Sequence, residues 1–148
     1  MNLLDCDLPA ADMPPGFLHR WVSVREALGG EHFGCSLYEF DSREQLWPYH
    51  YHWANEEWLV VVAGTPTLRD PGGERELAVG DVVAFPEGEA GAHTLTNRTA
   101  ETARVAIFST RRHGSVTYPD SDKLGAGPPH ERHYFRRGDA VDYWDGEQ

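Results

Sequence analysis

The sequence predicts an all-β domain, an antiparallel sandwich or barrel, on three observations. Apolar residues recur in short runs that alternate with polar ones rather than forming a helical stripe. Fifteen Gly and ten Pro divide 148 residues into short segments, the punctuation that turn-rich β proteins require. No segment keeps a helical period beyond one or two turns. The length fits one domain, residues 1–148, with room for a sizeable core. A hydrophobic fraction of 40% is slightly low, but five Trp, six Tyr and six Phe add buried area.

In chain order, Met1 to Pro15 reads as an irregular lead-in broken by Pro9 and Pro14-Pro15-Gly16. Phe17 to Val24 alternates loosely, as an edge strand does, and a Gly29-Gly30 turn comes next. Phe33 to Phe40 alternates cleanly and is predicted as a strand. Trp58 to Ala63 is a near-continuous apolar run, the pattern of a strand buried on both faces, and Gly64 permits a tight turn after it. Thr67 to Arg69 and Glu74 to Val79 flank the turn Asp70-Pro71-Gly72-Gly73. Val82 to Phe85 comes after a Gly80-Asp81 turn. His93 to Thr96 and Ala103 to Ser109 are expected to pair around Asn97–Glu101. After Ser109 the composition becomes loose through Pro129. The aromatic tail with Tyr134, Phe135, Tyr143 and Trp144 is expected to pack on the barrel or on a partner subunit, because that many exposed rings make an adhesive patch.

Charge and cysteine usage exclude several classes. A net charge of −11 argues against nucleic acid or an anionic membrane as partner. No charged segment leading into an apolar core opens the chain, and no apolar run reaches bilayer length. The two cysteines, Cys6 and Cys35, lack metal-ligand spacing, and a small secreted scaffold usually carries more. The expected compartment is cytoplasmic.

Chemistry concentrates in Pro48 to Gly64, PYHYHWANEEWLVVVAG. Residues two apart on a strand share a face, so the imidazoles of His50 and His52 point the same way. A short turn through Ala54 and Asn55 brings Glu57 within reach, and alternation then sends Glu56 outward. Two imidazoles and a carboxylate suit a first-row transition metal. A second stretch, GDVVAFPEGEAGAHTLTN from Gly80, adds His93 and ends at Asn97, which reads as a turn residue. His19, His32, His113, His130 and His133 have no partner pattern and are read as surface residues, with His130 and His133 placed to reach the barrel mouth from the tail. Tyr38, Trp58 and Phe85 are candidates to line a cavity. Arg104 is expected to face solvent; turned inward, it would clamp an anionic substrate.

Together the two stretches resemble the two signature motifs of the cupin family. The first motif is Gly, five residues, His-x-His, three or four residues, Glu, six residues, Gly. His50, His52, Glu57 and Gly64 match it, with Glu44 in place of the leading Gly. The second is Gly, five residues, Pro-x-Gly, two residues, His, three residues, Asn. Gly80, Pro86, Gly88, His93 and Asn97 match, with four residues between Gly88 and His93.

The resemblance implies a double-stranded β-helix, a small jelly-roll barrel with its core at about residues 17–110 and an extension over 111–148. It also implies a metal held by His50, His52, Glu57 and His93. Fe, Mn, Ni and Zn are all compatible, and Cu(II) shares the ligand types. What is known of cupins points to an enzyme acting on a small oxygenated molecule by dioxygenation or by isomerisation of a sugar or keto-acid. Decarboxylases and oxalate oxidases are also found among them. The alternative is a non-catalytic binder of metal or a small ligand. A homodimer is expected, since cupin barrels often pair through their outer sheets. No acid or base other than the ligands stands out; Tyr38, Glu39 and Tyr49 qualify only by proximity in the chain. A sensor attached to a DNA-binding module is disfavoured, because no helix-turn-helix pattern accompanies the barrel.

Overall fold

The computed structural model describes residues 1–112, 114–128 and 131–147. Among these residues twelve strands and one α-helical turn occur in order: β1 (Arg20–Ser23), α1 (Val24–Ala27), β2 (Gly34–Phe40), β3 (Tyr51–His52), β4 (Glu57–Ala63), β5 (Thr67–Asp70), β6 (Gly73–Glu76), β7 (Val82–Phe85), β8 (Thr94–Thr96), β9 (Ala103–Ser109), β10 (Val116–Tyr118), β11 (Lys123–Ala126) and β12 (His133–Arg136). They form a five-stranded sheet in the order β1-β2-β9-β4-β7, a four-stranded sheet β12-β11-β10-β3 and a three-stranded sheet β6-β5-β8. The architecture is the double-stranded β-helix barrel.

Alternation decides which residues fill the barrel. Phe40 on β2, Leu59 and Val61 on β4, Leu68 on β5, Phe85 on β7, Leu95 on β8 and Val105 and Ile107 on β9 meet in one apolar cluster. Opposite residues of β4 and β7 point outward: Trp58 is 50% exposed and Val82 57%. The run at Trp58 to Ala63 is therefore buried on its inner face, with Leu59 and Val61 inside, and is not a strand covered on both faces along its length. β-branched Val serves a half-exposed strand as well as a central one, so the residue types alone did not separate the two cases.

The outer face of β2 and β9 is covered differently. Leu8 and Val24 pack on Leu37 and Ala106 in a second apolar cluster, so the lead-in is a lid on the sheet. Arg104 fastens it. Its guanidinium binds Glu39 and donates to the carbonyl oxygens of Leu3 (3.1 Å) and Cys6 (3.4 Å). Arg104 thus faces outward but is not solvated, and it does not reach the barrel interior.

Two turns set the topology. β8 and β9, adjacent in sequence, do not pair with each other: β8 joins β5, and β9 lies between β2 and β4. The buried Asn97 side chain donates to the carbonyls of Phe40 (3.2 Å) and Glu101 (2.7 Å), and its oxygen accepts from Thr99. Those bonds carry the chain from one sheet to the other, which a simple hairpin reading of Asn97–Glu101 cannot capture. Gly64 ends β4 with a φ of +75°, and a Cβ there would lie 2.8 Å from both Ala103 Cα and Thr102 O. Backbone atoms cannot move aside as a side chain does. Gly64→Ala is therefore expected to cost about 1–3 kcal/mol, read from urea unfolding; an unchanged midpoint would contradict this account of the turn.

Candidate metal centre

The site begins with local backbone geometry. His50 Nδ1 lies 2.9 Å from the carbonyl of Pro48, and His93 Nδ1 lies 2.8 Å from that of Gly91, each two residues upstream. A carbonyl only accepts, so both Nδ1 atoms carry the proton and both Nε2 atoms keep a free lone pair. The two residues also exchange backbone bonds, His50 N to His93 O at 3.2 Å and His93 N to His50 O at 2.9 Å. This bridge brings the two motifs together. The two extra residues between Gly88 and His93 are absorbed by a 3₁₀ turn at Glu89–Gly91, so His93 still reaches its bridge.

Glu57 opens β4 with its side chain inward, while Glu56 is exposed. One ligand-type atom from each of His50, His52 and Glu57 lies within 4.8 Å of the others. Glu57 Oε2 is 3.3 Å from His52 Nε2 and 3.6 Å from His93 Nε2. The His93 ring sits 4.8 Å, centroid to centroid, from that of His50. Glu57 Oε1 accepts from Asn55 Nδ2 at 3.2 Å, and Asn55 Oδ1 accepts from Thr110 Oγ1 at 3.0 Å. That relay fixes the carboxylate from behind, as outer partners of ligands commonly do.

Electrostatics prepare the same groups. Burial, reinforced by neighbouring His93 and His52, lowers the His50 pKa to about 3, and burial lowers that of His93. Burial alone would raise Glu57, but its hydrogen bond with His52 and the nearby imidazoles outweigh this and hold it at about 2. At neutral pH His50 and His93 are neutral and Glu57 is ionised, the forms that bind a metal. His93 Nε2 supplies the test of fit: it is buried and has no hydrogen-bond partner among the described residues. An orphaned buried acceptor costs about 1–3 kcal/mol, and a divalent cation beside a carboxylate and lone-pair imidazoles would satisfy it. The donor set fits a first-row divalent ion.

The surrounding cavity has a volume of about 260 Å³, and Tyr38, Trp47, Ile107 and Tyr118 line it beside the ligands. Phe85 stacks on His93 with centroids 3.7 Å apart, seating the ring on the apolar core. Burial pushes Tyr38 up to about 12, and burial with the neighbouring Tyr134 does the same for Tyr118. Both hydroxyls stay protonated and can donate.

Of the candidates named by proximity, only Tyr38 reaches the cavity. Glu39 is engaged by Arg20 and Arg104, and Tyr49 lies under the Arg69 guanidinium, 4.1 Å from its ring centroid. Trp58 points outward. His19 bonds its own loop through the Phe17 carbonyl, His32 is exposed, and His133 is exposed on β12. His113 and His130 lie outside the described residues. Trp47 and Tyr118 were missed by sequence reasoning. Tyr118 belongs to no motif; it arrives because β10 pairs with β3, Val116 opposite His52 and Thr117 opposite Tyr51. One residue further along that register, the Tyr118 ring stacks on His50 at 5.8 Å.

The pKa shifts imply a direction of pH dependence for metal-free protein. His50 and His93 resist protonation when folded, so their contribution is complete above the unfolded value of 6.5 and falls as the pH drops below it. Glu57 acts the same way below 4.5, because the unfolded chain binds the proton more readily. The melting temperature of chelator-treated protein should fall steadily from about pH 7.5 to about pH 4. A flat profile over that range would contradict the burial of neutral imidazoles.

Comparison with known proteins agrees with this geometry. In solved structures, the chain is 28% identical to a protein from Acidithiobacillus ferrooxidans provisionally assigned as a sugar phosphate isomerase, with a TM-score of 0.80 over 86% of this chain and 82% of that one. A cupin-superfamily sugar phosphate isomerase from Silicibacter pomeroyi is 24% identical, with a TM-score of 0.78 over 92% and 90%. A polyketide cyclase from Streptomyces resistomycificus is 22% identical, with a TM-score of 0.56 over 72% and 75%, and shares the fold. No curated protein gives a significant match. A family profile described as a cupin domain matches residues 36–109, a span that contains the Asn97 crossover, the His50, His52 and Glu57 group, and His93 beside it. The chain belongs to the cupin family.

Proposed function

We propose that the protein is a metal-dependent isomerase of a small sugar or keto-acid, with His50, His52, Glu57 and His93 as the metal ligands. The observation that carries this reading is the pairing of that cluster with two protonated tyrosines, Tyr38 and Tyr118, in one small cavity. The 28% identity to a provisional sugar phosphate isomerase supports it. A bound divalent ion supplies Lewis-acid polarisation of a carbonyl and of the hydroxyl beside it.

The chain's own residues bind and orient the substrate. Tyr38 and Tyr118 hold protons at their hydroxyl oxygens. They donate hydrogen bonds to the carbonyl oxygen of the substrate, which carries more negative charge as the carbonyl is polarised. Trp47 and Ile107 give the cavity an apolar wall. Asn55 keeps Glu57 from rotating. A cavity of about 260 Å³ favours a compact substrate.

The test is solvent deuterium incorporation, monitored by NMR, when protein loaded with Mn, Fe, Ni or Zn meets a panel of small aldoses, ketoses and keto-acids. Deuterium should enter at the carbon beside the carbonyl. His52→Ala should lose most of its metal and the exchange with it. Tyr118→Phe should keep its metal while kcat falls by about tenfold or more. Metal-dependent dioxygen consumption without deuterium incorporation would contradict isomerisation and favour an oxygenase.

A homodimer and a cytoplasmic location belong to the same proposal. Phe33, Trp58 and Val82 are exposed around the outer sheet, and Tyr143 and Trp144 are 81% and 71% exposed in the tail. A second copy covering them removes that apolar area from water. Cys6 and Cys35 are both free thiols, as a reducing compartment favours. No helix among the described residues is long and apolar enough to cross a membrane. Deleting the residues after Gly127 should convert a dimeric sedimentation profile to a monomeric one; an unchanged solution mass per chain would reject the tail as part of the interface.

A further inference from the structure

A second pocket, also about 260 Å³ in volume, adjoins the metal centre. His52 lines both cavities. Arg111, Arg112 and Arg132 line the second pocket with Asn55 and Ser115, and no carboxylate is among its described lining residues. In a chain with 24 acidic and 13 basic residues, three arginines around one cavity stand against the overall charge.

Those charges are poorly compensated where they stand. Arg111 donates to a backbone carbonyl, that of Glu31, at 3.3 Å. Arg132 donates through Nη2 to the Gly114 carbonyl at 3.3 Å, while its Nε is buried without a partner among the described residues. Arg112 pairs with Glu87, 3.6 Å away with both side chains largely exposed, a pair worth little in water.

The backbone is shaped to bring them together. Arg111 has a φ of +55°, a left-handed conformation that costs a non-glycine residue energy and is often found at ligand sites. Gly114 lies so close to Ala54 that a Cβ would approach the Ala54 methyl to 2.7 Å. That closeness sets Gly114 against the turn between β3 and β4, where Ala54 and Asn55 also line the pocket.

We infer that this pocket is an anion subsite that binds the phosphate of a phosphorylated hydroxy-carbonyl substrate whose carbonyl end lies at the metal centre. The inference rests on the isomerase reading and narrows it to a substrate class. Planar guanidinium groups match phosphate oxygens two at a time. Binding energy gained at this end, remote from the reacting carbons, holds the carbonyl in position for reaction.

Calorimetric titration of the metal-loaded full chain with inorganic phosphate tests the subsite without any need for turnover. One equivalent should bind. Arg132→Gln, and separately the double change Arg111→Gln with Arg112→Gln, should each weaken binding at least tenfold with metal content and melting temperature unchanged. Arg111 and Arg112 are both exposed, so the double variant carries the test if Arg132→Gln proves unstable. No phosphate binding at millimolar concentration would overturn the subsite. Binding that ignores the arginine changes but vanishes when the metal is stripped would overturn it as well, since the phosphate would then be a ligand of the ion. Isomerisation of unphosphorylated compounds without phosphate binding would remove the subsite and leave the isomerase. Phosphate binding that depends on the arginines, with no deuterium incorporation on any aldose, ketose or keto-acid or on their phosphorylated forms, would support the subsite and remove the isomerase.

Discussion

Two hydrogen bonds from imidazole to backbone govern the centre of this molecule. His50 and His93 each give their Nδ1 proton to the carbonyl two residues earlier. That choice of tautomer aims both Nε2 lone pairs into the barrel and leaves the His93 lone pair unpaired and buried. An apolar surface of Phe85 and Trp47 around them then makes protonation costly, so the rings remain neutral. Glu57 is the counterpart: buried beside them, it stays ionised. The His93 Nε2 lone pair is left without a partner among the described residues, and a divalent cation beside Glu57 would satisfy it.

The fold holds those groups in register. The bridge between His50 and His93 requires the two motif segments to lie side by side, and the sheets arrange it. Asn97 moves the chain from β8 to β9, and Gly64 lets β4 turn within van der Waals contact of Ala103. The lead-in, tied down through Arg104 and Glu39, covers a sheet face that would otherwise expose Leu37 and Ala106. β10 then adds Tyr118 from outside the central motifs. The clustered histidines and Glu57 thus come from the barrel itself, whereas the extension beyond residue 110 contributes Tyr118 and the arginine-lined wall beside it.

Much of this was legible in the sequence. The spacing of His50, His52 and Glu57 is a local fact of strand geometry, and alternation correctly separated Glu57 from Glu56. The turns at Gly64 and Gly80 carried their own chemistry. The features that were not legible depend on partners distant in the chain. The crossing of β8 and β9 into different sheets rests on bonds from Asn97 to Phe40, far earlier in the sequence. Tyr118 enters the cavity through a register between β10 and β3 that no local pattern encodes. Arg104 found a buried ion pair and two carbonyls where residue statistics favoured water. Arg111, Arg112 and Arg132 lie in a segment of loose composition, and only folding places them around one pocket.

One divalent ion is expected among these four side chains. Anomalous diffraction from metal-loaded crystals, collected on both sides of the metal's absorption edge, tests it most directly. A single strong peak is expected about 2.0–2.2 Å from the ring nitrogens of His50, His52 and His93 and from a Glu57 carboxylate oxygen. No peak at the barrel mouth, or a peak held by other residues with His93 Nε2 still unpartnered, would contradict it.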